Sequence, residues 1–195
     1  MLDFIFLTGP SGVGKTTLAK GLFAHLRSTY IEQNMVPEFI SRDGREEMTG
    51  ELEERTLWEN TCAMAMCFHR LGYRNVIVTD LDDLRTADIP VDFKGTRYAM
   101  LRMVCRDPEQ LRRQMHGRPA GGLIDDELQQ KSSRKILARP LQVNELELDV
   151  TGLSEAEVLQ KALLLLEGFE PLEEYDYVRP PKEAYYSWVF ANGLR

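Results

Sequence analysis

Near the start of the chain, Gly9, Gly14, Lys15 and Thr16 fill the defining places of G-x-x-x-x-G-K-[ST], within the run Gly9-Pro10-Ser11-Gly12-Val13-Gly14-Lys15-Thr16-Thr17. Glycines at these spacings let successive backbone N–H groups turn inward and form a concave nest for phosphate oxygens. A helix beginning near Gly14 adds the positive end of its dipole. Lys15 is then expected to reach the β- and γ-phosphates of a nucleotide, and the Thr16 hydroxyl to coordinate Mg²⁺. The whole run from Gly9 to Thr17 is expected to line the nucleotide site.

Carboxylates come next. Val76-Ile77-Val78-Thr79 reads as a buried strand with Asp80 at its end. That is the place of the second metal-holding element beside a phosphate loop, directly or through water. The alternative for Asp80 is a turn-capping aspartate. Asp82 and Asp83 follow in a polar loop. Glu38, after Pro37, has two readings: a base that takes a proton from a substrate hydroxyl, or a surface glutamate. Asp125-Asp126-Glu127 has only Leu123-Ile124 as apolar lead-in and reads as a helix start.

Arginines form the third set. Arg106, Arg112, Arg113 and Arg118 flank a short helix that runs into Pro119-Ala120-Gly121-Gly122, the layout of a mobile lid. Arginines closing over a phosphoryl group in transfer stabilise its charge, and closure excludes water. Arg113 and Arg118 are the preferred pair, with Arg112 pointing elsewhere; the competing reading is a solvated basic helix. Arg42 and Arg85 sit in loops at the same end and hold either substrate or water. Lys131, Arg134, Lys135 and Arg139 read as a solvated face, and His116 as structural.

These residues need elements to place them. Phe4 to Thr8 is a short apolar strand, and Leu18, Ala19, Leu22, Phe23 and Leu26 recur at helical spacing. Tyr30 to Val36 reads as a second strand leading to Pro37-Glu38. A helix follows from about Glu51 to Leu71, stopped by Gly72, and then the strand ending at Thr79. Tyr98 to Cys105 is a further strand, Pro108 to His116 a helix, Asp125 to Leu137 another, and Leu146 to Val150 the last strand. Ser154-Glu155-Ala156-Glu157 is a capping box that starts the final helix. Strands alternating with helices give an α/β fold with a parallel sheet covered on both faces, its ligand at the carboxyl ends of the strands.

Bulk properties bound the partners. The chain has 195 residues, 43% apolar and 28% charged, which suits one soluble domain. A net charge of −7 argues against a nucleic-acid polymer as partner. The 3 cysteines fit neither a disulfide framework nor a zinc site, so a reducing, cytoplasmic setting is expected. No basic region precedes the first apolar segment and Ala162 to Leu166 is too short to span a bilayer, so neither a secretory leader nor membrane attachment is expected.

The phosphate loop, the strand ending at Asp80 and the arginine-bearing segment together resemble the small P-loop kinases: nucleoside, nucleotide, gluconate and shikimate kinases. The resemblance runs over residues 2–168 in order of elements. It implies a three-layer fold with a five-stranded parallel sheet in the order 2-3-1-4-5, a lid at about 106–139, ATP and Mg²⁺ as donor and cofactor, and adenine against Asp149-Val150-Thr151-Gly152. Val36-Pro37-Glu38 is similar to the acidic end of strand two in deoxynucleoside and nicotinamide-riboside kinases, where the carboxylate is the base. Neither Asp-Gly-Phe-Pro nor Asp/Glu-Arg-Ser is present; Asp80-Leu81-Asp82-Asp83 stands there instead.

The expected function is an ATP-dependent kinase acting on a hydroxyl or phosphate of a small metabolite. Lys15, Glu38, Asp80, Arg113 and Arg118 are its catalytic candidates, and Thr16 and Asp80 its metal ligands. The alternative is a nucleotide-dependent switch whose output is a conformational change with a protein partner; no Asn-Lys pair exists to read guanine. Residues 1–170 are expected to form the domain. The tail at 171–195, with Tyr185, Tyr186, Trp188, Val189 and Phe190, is expected to pack on that domain or on a second subunit of a homodimer.

Overall fold

A computed structural model describes residues 1–35, 50–117, 125–183 and 187. Glu38, Arg42, Arg118 and the five aromatic and aliphatic tail positions from 185 to 190 lie outside the described residues. The five strands are β1 (Phe4–Thr8), β2 (Tyr30–Glu32), β3 (Val76–Thr79), β4 (Tyr98–Val104) and β5 (Glu145–Asp149). The helices are α1 (Lys15–Leu26), α2 (Gly50–Arg70), α3 (Arg85–Asp92), α4 (Pro108–His116), α5 (Asp126–Ala138) and α6 (Glu155–Glu167). The strands form one parallel sheet in the order β2-β3-β1-β4-β5, as the resemblance implies.

Period-two alternation divides the core. On β1, Ile5 and Leu7 face one side with Leu18 and Leu22 of α1 and Ala162 of α6. Phe4 and Phe6 face the other with Trp58 of α2, Ile89 of α3 and the nearby Phe93. Both faces of β1 are covered, so it is buried throughout and apolar from Phe4 to Leu7, as suits a central parallel strand.

Edge strand β5 departs from that rule. Its Leu146 and Leu148 join the α1–α6 core, but the opposite face carries Glu145, Glu147 and Asp149. Each acid meets an arginine: Glu145 takes Arg139, Glu147 takes Arg102 and Arg106, and Asp149 takes Arg106. Arg102 and Glu147 are direct register partners on β4 and β5, so the strand pairing itself sets that ion pair. Arg102 also donates to the carbonyls of Ile136 and Arg139, at 3.2 and 2.8 Å, and fixes the end of α5 to the sheet.

Two elements differ from the sequence reading. β2 stops at Glu32, and a tight turn over residues 33–35 follows in place of strand. The segment after Asp83 is helical from Arg85, although Pro90 lies inside it. Leu84 and Ile89 are buried there, and the side chains of Arg85 and Asp88 satisfy each other at 2.7 Å. This buried polarity hid the helix from a search for apolar periodicity.

The chain beyond α6 runs back across the domain. Leu172 and Asn144 exchange side-chain-to-backbone bonds, both at 2.8 Å. Tyr175 donates its hydroxyl to Pro90 O at 2.7 Å and meets the Tyr98 hydroxyl at 3.0 Å. Farther on, Arg179 pairs with Asp88 and Asp92, and Lys182 with Asp88. Among the described residues, no helix is long and apolar enough to cross a membrane.

Candidate active site

The phosphate loop leaves β1 at Thr8 and enters α1 at Lys15, with Gly9, Gly12 and Gly14 all at positive φ. Two of these glycines are required by neighbours. A Cβ on Gly9 would lie 2.4 Å from Met103 O, and one on Gly12 would lie 3.1 Å from Leu111 O. At Gly14 a Cβ would meet nothing within 4 Å, so this part of the loop borders open space. The loop is thus wedged between β4 and α4 at Gly9 and Gly12 and open at Gly14. Gln129 of α5, itself buried, donates to Ser11 O at 3.3 Å and steadies the tip.

Lys15 folds back over the loop. Its ammonium donates to Gly9 O at 2.7 Å and to Pro10 O at 3.1 Å, which holds the charge at the rim of the nest. The loop opens into a cleft of about 1140 Å³. Thr16, Thr17 and Lys20 line it from α1, Asp80 and Asp82 from the end of β3, and Gln110 and Gln114 from α4. All nine residues from Gly9 to Thr17 border this one cleft.

Asp80 stands at the carboxyl end of β3 with φ +62, a left-handed conformation that an aspartate tolerates better than most residues. The Asn34 side-chain amide donates to its carboxylate. Asp82 is solvent-accessible in the cleft. Desolvation of its carboxyl by the surrounding protein raises its pKa above the ordinary range, an effect that Arg85 and then Lys15 oppose and Asp80 and Glu54 reinforce. Asp83 also borders the cleft, with its carboxylate held by the Arg139 guanidinium. Glu32 ends β2 nearby and takes a bond from the Tyr30 hydroxyl. Burial and then the Asp80 charge raise its pKa, against Lys20.

The basic residues sort differently from the sequence reading. Arg113 is largely exposed, lies 4.0 Å from Asp107 and does not line the cleft. Arg106 is tied to Asp149 and Glu147 at 3.0 and 2.6 Å. Arg112 pairs with Glu109, away from the cleft as expected. Lys135 lines the cleft and Arg139 is half-buried in ion pairs, so the reading of that helix face as solvation holds only for Lys131 and Arg134. Arg85 is buried at 1% exposure, where it pairs with Glu54 and Asp88 and stacks 4.8 Å from the Trp58 ring. It is therefore a core residue in place of a loop arginine. His116 bonds Asp126 at 2.7 Å and joins the ends of α4 and α5, a structural role.

Opposite the loop, Gln110 reads the segment after β5 with both ends of its amide. Its nitrogen donates to Val150 O at 3.3 Å and its oxygen accepts from Gly152 N at 2.8 Å. Val150, Leu153 and Val158 give this end of the cleft an apolar wall. Gln110 carried no signal in the sequence, because an uncharged residue on a short polar helix looks like surface.

These residues fit a magnesium nucleotide. The glycine nest, the Lys15 ammonium and the α1 terminus supply positive potential for phosphates, and the Thr16 hydroxyl and Asp80 carboxylate supply hard oxygen ligands. Among the described residues no group of three or more His, Cys, Asp or Glu is placed to hold a metal. A site that offers one or two protein oxygens suits Mg²⁺, which keeps water and phosphate as its other ligands.

A family model described as "ATPase family associated with various cellular activities (AAA)" matches residues 5–86, from β1 to the start of α3. No curated protein matches the sequence. The fold is similar to that of a gluconokinase from Sinorhizobium meliloti 1021, at 21% identity over 84% of this chain and 90% of that one, with a TM-score of 0.58. A shikimate kinase from Bacteroides thetaiotaomicron matches at 19% identity over 86% and 99%, with a TM-score of 0.57. A tunicamycin resistance protein from Deinococcus radiodurans matches at 16% identity over 93% and 100%, with a TM-score of 0.62. At these identities the shared property is the fold.

Proposed function

We propose that the protein is an ATP-dependent kinase that transfers the γ-phosphoryl group to a hydroxyl or phosphate of a small metabolite. One observation carries the reading: the Lys15 ammonium and the open side of the glycine nest share a single cleft with the carboxylates of Asp80 and Asp82. A cytoplasmic setting, where ATP is abundant, agrees with it.

The nest and Lys15 would bind the polyphosphate, and Val150, Leu153 and Val158 would take the adenine. Mg²⁺, when bound by Thr16 and Asp80, would supply charge that balances the phosphates. The acceptor oxygen forms its bond to the γ-phosphorus as the bond to the β–γ bridging oxygen breaks, which leaves ADP. The hydroxyl proton passes to a carboxylate. Asp82 is the candidate that faces the cleft and lacks the arginine clamp that holds Asp83; Glu38 remains the other candidate from the sequence. Lys15 and Lys135, which both border the cleft, are proposed to stabilise the charge in flight, with Arg113 and Arg118 as further contributors on closure.

The test is acceptor-stimulated ADP release from Mg·ATP across a metabolite panel, with Lys15→Met beside the native protein. Stimulation by an acceptor and its loss in Lys15→Met support the kinase. The family-model match favours an ATPase switch as second reading, and that reading is favoured if ADP release is indifferent to every acceptor and responds to a protein.

A further inference from the structure

A second cavity, of about 750 Å³, lies between α2, α3 and the returning C-terminal segment. That volume is in the range of small-molecule sites. It begins beside the cleft already described: Arg85, whose backbone N–H donates to Asp82 O at 3.0 Å, extends its side chain into the cavity wall. Asp82 borders the cleft, and both Lys15 of the cleft and the Glu54–Arg85 pair of the cavity act on it electrostatically.

The chemistry of the wall is specific. Four cations line the cavity, and each already holds a carboxylate. Arg55 pairs with Glu59 at 2.6 Å. Arg85 pairs with Glu54 and, at 2.7 Å, with Asp88. From the C-terminal segment, Arg179 reaches Asp92 at 2.9 Å and Asp88 at 3.1 Å, and Lys182 reaches Asp88 at 3.2 Å. Asp88 is fully buried at 0% exposure, so three cations share one carboxylate that water does not reach. Trp58 completes the set, donating its indole N–H to Asp92 at 2.7 Å.

We infer that this cavity is the acceptor chamber and that it takes an uncharged, polyhydroxylated molecule, a sugar, polyol or nucleoside, in preference to a phosphorylated or carboxylated one. The inference rests on the kinase reading above. A charged acceptor has to draw a cation or a carboxylate out of an existing pair, and at Arg85, Glu54 and Asp88 that leaves a buried partner uncompensated. A hydroxyl both donates and accepts. It uses spare carboxylate lone pairs and the remaining N–H groups of the guanidinium forks without breaking a pair. The C-terminal segment is then part of the site, since Arg179 and Lys182 supply half of the cations in its wall.

The sequence holds 2 tryptophans, so Trp188→Phe leaves Trp58 as the single indole reporter in the cavity. Its emission is titrated with ribose, glucose, adenosine and thymidine, and with ribose 5-phosphate, gluconate and thymidine monophosphate. ATP binding is followed separately with a fluorescent ATP analogue. A saturable change with a neutral compound, at a half-saturation about tenfold or more below that of its charged counterpart, is the expected result. A second expected result is a rise of about tenfold in that half-saturation in Arg179→Met, with affinity for the ATP analogue unchanged. Lys182→Gln repeats the measurement if Arg179→Met does not fold. Preference for a charged counterpart, equal affinity for both, or no saturable change with any neutral compound overturns the inference. Absence of binding to the ATP analogue instead sinks the kinase reading.

Discussion

Arg139 donates its Nε to both oxygens of Asp83, at 2.9 and 3.0 Å, and so ties the last turn of α5 to the loop that carries Asp80 and Asp82. Its terminal nitrogens take Glu145 at the start of β5, each at 2.6 Å. One guanidinium thus joins three elements. Its planar fork is what allows two carboxylates to be satisfied at once, which an ammonium group does not do. The consequence for the site is electrostatic: Asp80, Asp82 and Asp83 all border the cleft, and Asp83 is the one whose carboxylate Arg139 holds.

Replacing Arg139 is expected to be costly for the fold. Arg139→Met leaves Glu145, whose side chain is fully buried, without its cation. Removing one partner of such a pair destabilises by about 3–5 kcal/mol, or roughly 6–20 °C in Tm for a chain of this size. Asp83→Asn keeps the Arg139–Glu145 pair and is expected to cost about 1–2 kcal/mol. Thermal denaturation of the two variants tests the ranking; equal losses would refute the assignment of Glu145 as the dominant partner.

The phosphate-loop glycines are expected to separate stability from binding. Gly9→Ala puts a methyl carbon 2.4 Å from Met103 O at a φ of +136, so the loop or β4 must move. Gly14→Ala meets no atom within 4 Å, at a residue that borders the cleft proposed for phosphate. Both lose about 1–3 kcal/mol to backbone strain. Gly9→Ala is expected to lose more, through the clash, while Gly14→Ala keeps more of its fold and loses affinity for the ATP analogue. Calorimetric unfolding beside nucleotide titration reads both effects.

What was legible in the sequence follows from how local each signal is. The phosphate loop is a contiguous run whose residue types answer to its own backbone, so all of it was found. Strands β1, β3, β4 and β5, and helices α4 and α6, announce themselves by apolar periodicity, a capping box or a proline start. Asp80 was found because it directly follows an apolar strand. The failures are tertiary. Arg85 and Arg139 look like surface arginines until the carboxylates of distant elements are placed around them. Helix α3 has a proline and buried charges where periodicity demands apolar residues. Asp82 and Asp83 are neighbours of identical type, and only the position of Arg139 separates their roles. Lys135 was grouped with Lys131 and Arg134, although it is the one of the three that borders the cleft.

The raised pKa of Asp82 fixes the sign of two pH effects. Its folded pKa lies above its unfolded one, so the folded state binds the proton more tightly. The stability it contributes is full below the ordinary carboxylate range and is lost as pH rises through the raised value. Asp82→Asn is therefore expected to raise Tm at neutral pH, with the gain shrinking toward acid. Activity moves the other way. If Asp82 takes the proton, the acid limb of the pH–rate profile lies above the ordinary carboxylate range in the native protein, and the rate collapses in the variant. A variant with unchanged Tm at both pH values and an unchanged rate would remove Asp82 from the mechanism.

Truncation after Glu170 tests the returning segment as a part of the domain. Tyr175 gives Pro90 O and the Tyr98 hydroxyl a partner, and burial followed by the Tyr175 contact pushes the Tyr98 pKa far above its ordinary value. Without the segment that hydroxyl loses one of its partners, and Asp88 and Asp92 lose Arg179. Arg85 still holds Asp88, so the loss is graded and the sheet is expected to survive. A fall of about 2–5 kcal/mol is expected from the lost buried pairing, together with weaker acceptor binding and little change in affinity for the ATP analogue. The last point carries the argument, because the described part of the segment lies against α2 and α3 and contributes nothing to the lining of the nucleotide cleft. Loss of nucleotide and acceptor binding in equal measure, in a truncated protein that still melts cooperatively, would refute that division of labour.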